Sequence, residues 1–126
     1  MSKEFVATAK APQARGPYSQ GIRLGQLLFV SAQGPFSPET GKLAGEDVET
    51  QTRRVLENIK GVVEASGLTL HDVVKVTVFL KHSEDFQRMN EVYKTYFPEH
   101  APARTTIQAE LPIPGALVGA DAIACR

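Results

Sequence analysis

The run Val73-Val74-Lys75-Val76-Thr77-Val78-Phe79-Leu80 constrains the fold more than any other segment of this chain. β-Branched residues dominate it and no glycine or proline breaks it, so it reads as a strand. Alternation puts Val74, Val76, Val78 and Leu80 on one face and Val73, Lys75, Thr77 and Phe79 on the other. A helical pattern stands on each side of it. Val48, Thr52, Val55, Ile59, Val62 and Val63 recur at helical spacing, with Asp47 placed to cap the start and Gly67 to end the helix in a left-handed conformation. After the strand, Phe86, Met89, Tyr93, Tyr96 and Phe97 mark a second helix, with Ser83 as its cap and Pro98 as its stop.

Two amphipathic helices need a sheet to cover their apolar stripes, and the rest of the sequence supplies one. Ser19–Leu24 and Leu27–Ala32 flank Gly25-Gln26, which predicts a hairpin with a type II′ turn. The segment 11–17, with Pro12, Gly16 and Pro17, is an extended loop, and Gly34 to Gly41 is a turn-rich one. Ala103–Ala109 and Val118–Cys125 predict two final strands joined by Leu111-Pro112-Ile113-Pro114-Gly115. The order is β-β-α-β-α-β-β with a short first strand near Phe5, an α+β fold with a mixed sheet and two helices on one face. The other face, carrying Val73, Thr77 and Phe79, is left open. A small chain buries such a face against copies of itself, so a homo-oligomer with sites at its subunit seams is expected.

At 126 residues the chain is expected to be a single domain over 1–126. Lys plus Arg equals Asp plus Glu at 14 each. That balance lacks the basic excess that binds phosphate backbones or anionic bilayers, so neither nucleic acid nor membrane is an expected partner. No apolar stretch follows Met1-Ser2-Lys3-Glu4-Phe5 and none approaches the roughly 20 residues that span a bilayer, so a cytoplasmic location is expected.

Few residues carry recognisable chemistry. His71, His82 and His100 fall in loops or at element ends with no Cys or carboxylate cluster, so they read as solvated and no metal or cofactor is expected. Cys125 is the single cysteine, which excludes an internal disulfide and reads as structural. Phosphate-binding glycine motifs are absent, and Ser31 lacks the surroundings of a nucleophile elbow. Arg104 opens a strand of uncharged residues. It either forks onto a bound carboxylate or pairs with a neighbouring acid. Tyr18, after the rigid Gly16-Pro17, either walls a pocket or belongs to the core or rim. Asn90 is an amide in mid-helix, either facing solvent on the helix surface or serving a loop or ligand.

Taken together, Gly16-Pro17-Tyr18-Ser19-Gln20, Phe29-Val30-Ser31-Ala32-Gln33, Gln51-Thr52, Val55 to Ile59, Val73 to Leu80, Met89-Asn90-Glu91-Val92-Tyr93, Pro102-Ala103-Arg104 and Leu111-Pro112 resemble the RidA family, the reactive intermediate deaminases also called YjgF-type or L-PSP proteins. The resemblance runs nearly end to end. It implies a chorismate-mutase-like fold and a homotrimer with three clefts between subunits. It also implies cofactor-free hydrolysis of 2-aminoacrylate and 2-iminobutanoate, formed by pyridoxal-phosphate dehydratases, to 2-oxo acids and ammonia. Carried over residue by residue, Arg104 grips the substrate carboxylate and the Thr106 backbone N–H supports it. Tyr18 walls the pocket, Ser31 lies near the imine end, and Asn90 supports the cleft. Ala32 tightens a position that is often glycine. The sequence departs from the family at Gly119, where active members carry a water-positioning Glu, while Asp121 keeps the next acidic position. Deamination that is weak beside Glu-bearing members, or that acts on different substrates, is therefore expected. A carboxylate-binding trimer without catalysis is the second reading and an endoribonuclease or translation inhibitor the third. The zero net charge and the absence of paired histidines speak against the last.

Overall fold

A computed structural model describes residues 2–126. The chain runs β1 (Lys3–Val6), β2 (Gly21–Leu24), β3 (Leu27–Gln33), α1 (Val48–Ala65), β4 (Val73–Leu80), α2 (Phe86–Tyr96), β5 (Ala103–Gln108) and β6 (Val118–Cys125). The strands form one sheet in the order β1-β2-β3-β6-β4-β5. Every neighbouring pair is antiparallel except β4 and β5, which run parallel. This is the expected α+β architecture, and the short strand near Phe5 is a full member of the sheet. Gly25 has φ +62° with Leu24 paired to Leu27, as the two-residue turn requires.

Local chemistry sets the helix bounds. The Asp47 side chain accepts from the Thr50 N–H at 2.9 Å and starts α1. Gly67, at φ +84°, follows its C-cap Ser66. The start of α2 differs from expectation. Ser83 opens a short 3₁₀ turn, and Asp85 occupies the cap position of α2. The Asp85 carboxylate pairs with Arg88 at 3.5 Å instead of capping the backbone.

The two helices share one face of the sheet. Val55, Ile59, Val62 and Val63 of α1 and Met89 of α2 pack with Leu28, Val30, Val76, Val78, Ala120 and Ala122 into one buried cluster. Each large apolar side chain buried there contributes about 1.5–3 kcal/mol relative to exposure. The alternation along β4 is interrupted at its start. Pairing with β6 steps from Val73↔Ala124 to Lys75↔Ile123, so Val74 is an extra, bulged residue. Val73 turns into the core and Val74 is 47% exposed, the reverse of the simple alternation. The opposite face keeps Phe5, Phe29 and Ile107 exposed, and Phe79 and Ile123 half-buried.

The loops are fastened by buried amides. Gln51 donates to the carbonyls of Gly45 and Gly115 at 2.9 and 3.0 Å and accepts from the Leu117 N–H at 2.7 Å. Asn58 donates to the carbonyls of Gly34 and Phe36, and Gln20 to those of Thr8, Ala11 and Pro12. Removing such a side chain strands buried backbone groups at about 1–3 kcal/mol each. Gln51→Ala is therefore expected to lower unfolding stability by about 2–4 kcal/mol. Urea denaturation at fixed protein concentration checks this, and an unchanged midpoint would contradict it.

Candidate functional site

Arg104 stands near the start of the edge strand β5, in a row with Val76, Ala122 and Val30 on the helix-facing side of the sheet. Its register against β4 aims the side chain under α2. There Asn90 accepts from Arg104 Nη1 at 2.8 Å. The guanidinium carbon lies 4.7 Å from the centroid of the Tyr93 ring and 5.7 Å from that of Phe86. Phe86, Asn90 and Tyr93 are spaced i, i+4, i+7 and so share one helix face. No carboxylate among the described residues lies within 4.0 Å of Arg104. Of the two readings open for this arginine, the pairing with a protein acid is therefore not realised. A hollow of about 330 Å³ adjoins it, lined by Asn90, Tyr93, Lys94, Phe97, Pro102 and Arg104.

Thr106 follows on the same face of β5 as Arg104. Ala109 N–H donates to the Leu80 carbonyl at 3.0 Å. The alternation of a parallel ladder then turns the N–H groups of 107 and 105 toward β4 and that of Thr106 to the unpaired outer edge. The backbone donor proposed by resemblance is free. The Thr106 hydroxyl and the Tyr93 hydroxyl are both buried without a protein partner. Burial pushes the Tyr93 hydroxyl above the ordinary tyrosine range, opposed by the nearby Arg104 charge.

The remaining candidates gather elsewhere. Tyr18 is 52% exposed, and with Arg15, Ala32, Gly34 and Ile113 it lines a hollow of about 300 Å³. Ser31 donates through Oγ to the Ser19 carbonyl at 2.5 Å and through its N–H to the Gln20 carbonyl at 2.9 Å, so its hydroxyl proton is committed. Gly119 pairs with Phe79 and belongs to the open face, and a Cβ there would sit 3.3 Å from the Gln33 carbonyl oxygen. The Arg104 row is separated from Val30, beside Ser31, by β6 and β4, roughly 14 Å at about 4.8 Å per strand. One small ligand cannot touch both groups on one chain. The structure therefore brings Arg104, Asn90 and Thr106 together and keeps Tyr18, Ser31, Ala32 and Gly119 apart from them. Sequence reasoning missed the part of Tyr93, which it read only as an apolar stripe residue. The available signal was its spacing from Asn90.

The sequence profile described as Endoribonuclease L-PSP matches residues 8–126. The chain belongs to this family. A RutC family protein of Pyrococcus abyssi is 48% identical over 126 residues, covering 100% of this chain and 99% of that protein. The chloroplastic Reactive Intermediate Deaminase A of Arabidopsis thaliana is 47% identical over 114 residues, covering 90% of this chain and 61% of that protein. The crystal structure of E. coli TdcF with bound serine superposes with a TM-score of 0.92 at 43% identity, covering 98% of each chain. RidA- and YjgF-type proteins thus share both sequence and architecture with this chain.

The orphaned hydroxyl of Thr106 yields a test of how this L-PSP family member is built. Thr106→Val keeps the shape and the backbone N–H while removing a buried, unpartnered hydroxyl. It is expected to raise stability by about 1 kcal/mol. A lower denaturation midpoint for the variant would show that the hydroxyl has a partner in solution.

Proposed function

We propose that this protein hydrolyses small 2-imino and 2-enamino carboxylates, such as 2-aminoacrylate and 2-iminobutanoate, to 2-oxo acids and ammonia. The observation that carries the reading is Arg104, a half-buried guanidinium bonded to a neutral amide, with no protein carboxylate against it and a free backbone N–H nearby. A planar guanidinium fits a carboxylate with two parallel hydrogen bonds. The deaminase name of the Arabidopsis relative and the serine bound to E. coli TdcF both support a small amino- or imino-carboxylate as ligand.

In this reading Arg104 holds the carboxylate and the Thr106 N–H supports it. That fixes the imine carbon where water can add. An enamine first tautomerises to the imine, its N–H proton passing to C3; water then adds to C2 of the imine, the C–N bond breaks, and the nitrogen leaves as ammonia after taking up the two protons that water gives up. Orientation alone accelerates such a step by restricting the reactants to a productive geometry. Tyr18, Ser31, Ala32 and Gly119 enter from a second copy of the chain, because no single copy brings them to Arg104. The open sheet face with Phe5, Phe29 and Ile107 is the surface that joins the copies into a trimer.

Calorimetry with 2-oxobutanoate tests the anchor. Arg104→Ala is expected to weaken binding by at least about tenfold, since each lost charge-assisted bond is worth about 1.5–3 kcal/mol. Arg104→Lys recovers part of the loss, because an ammonium cannot fork. Equal affinity in all forms would refute the carboxylate anchor.

Gly119 favours a second reading, a carboxylate-binding trimer with little catalysis. A positioned carboxylate typically adds about 10²–10⁴-fold by proton transfer, and Gly119 has no side chain to supply it. Gly119→Glu is expected to raise the rate of 2-oxobutanoate release from 2-iminobutanoate while sedimentation still reports a trimer. The 3.3 Å approach of its Cβ to the Gln33 carbonyl asks for only a small backbone shift. An unmodified protein that adds nothing to spontaneous hydrolysis would favour the binding-only reading.

A further inference from the structure

We propose that Tyr93 is a positioning residue, whose ring holds the Arg104 guanidinium in the plane that receives a carboxylate. The inference deepens the functional reading above and rests on it for the identity of the ligand.

A lone arginine at an edge strand has several rotatable bonds and would sample many orientations before a ligand arrived. Here three contacts on α2 remove that freedom. Asn90 engages Nη1 at 2.8 Å, the Tyr93 ring lies 4.7 Å from the guanidinium carbon, and the Phe86 ring lies 5.7 Å from it. The Tyr93 ring is itself fixed, because it is only 6% exposed and lies against Phe97 with a centroid distance of 4.9 Å. A cation over an aromatic face is attracted by the ring quadrupole, and the attraction grows as water is excluded. The ring thereby orients the cation without contributing a negative charge that would compete with the ligand. A carboxylate in the same place would satisfy Arg104 and block the site. The Tyr93 hydroxyl has no protein partner, so the aromatic face is the part of the side chain that does this work.

The experiment compares Tyr93→Phe and Tyr93→Leu, each in the Arg104 protein and in Arg104→Ala, by calorimetry with 2-oxobutanoate. Phe keeps the ring and should bind within about twofold of the unmodified protein. Leu should bind about tenfold more weakly, in line with a partly desolvated cation–π contact. In the Arg104→Ala background the Leu change should cost less than about twofold, because a residue acting through Arg104 has nothing left to act on. Equal losses in both backgrounds, or a Phe variant as weak as Leu, would overturn the proposal.

A ligand-free measurement separates this inference from the functional reading. The Arg104 Nη protons in nitrogen-15 NMR should show restrained rotation in the unmodified protein and in Tyr93→Phe. Fast averaging in the unmodified protein would overturn the positioning role, even if 2-oxobutanoate binds. Restrained protons in a protein that binds no 2-oxo carboxylate would overturn the functional reading and leave the stack standing.

Discussion

Two helices must cover a six-stranded sheet, and they can cover only one side of it. Most other features follow from that imbalance. The covered side collects the aliphatic residues of α1, β3, β4 and β6 into a single cluster. The uncovered side keeps aromatic and aliphatic residues at the surface, where a monomer gains nothing from them. The edge strand β5 belongs to both problems. It is paired on one side only, and near its start it carries Arg104, whose charge lies under α2.

That charge is set apart by its company. Arg88 finds an acid, Glu49 at 2.7 Å, and Arg54 bonds an amide alone, Asn58 at 3.0 Å. Arg104 instead meets an amide and two aromatic rings. A neutral, polarisable cradle offsets part of the cost of desolvating the guanidinium without neutralising it, and leaves its positive field available to a ligand. The contrast between Arg88 and Arg104, one neutralised at the surface and one cradled near an unpaired strand edge, separates a structural ion pair from a group prepared for a ligand.

Much of this was legible in the residues. The hairpin at Gly25-Gln26, the Asp47 cap, the left-handed Gly67 and the strand bounds of Val73–Leu80 and Val118–Cys125 follow from local chemistry, which acts over a few residues. The misreadings lie where tertiary contacts overrule local rules. Val73 and Val74 exchange places because a bulge in the pairing with β6 adds one residue, and nothing within the valine run marks it. Ser83 yields the cap position to Asp85 because a 3₁₀ turn comes first. Arg104 and Asn90 stood out by type, and their meeting at 2.8 Å needed only the parallel pairing of β5 with β4. The separation of Ser31 from Arg104 was invisible without the strand order, because sequence distance does not report that two strands stand between them.

The amides of Gln20, Gln51 and Asn58 hold the loops that border the hollow beside Tyr18 and Ala32. Amide side chains do not titrate, and their hydrogen bonds to carbonyls carry no net charge to be screened. These amide-to-carbonyl contacts are thereby uncoupled from proton concentration, whereas the Asp47 carboxylate that caps α1, held below the usual carboxylate range by the Thr50 N–H, is not. An acid change that loosens the scaffold then acts through the Asp47 cap and the Glu49–Arg88 pair, and the amide-held loops stay in place.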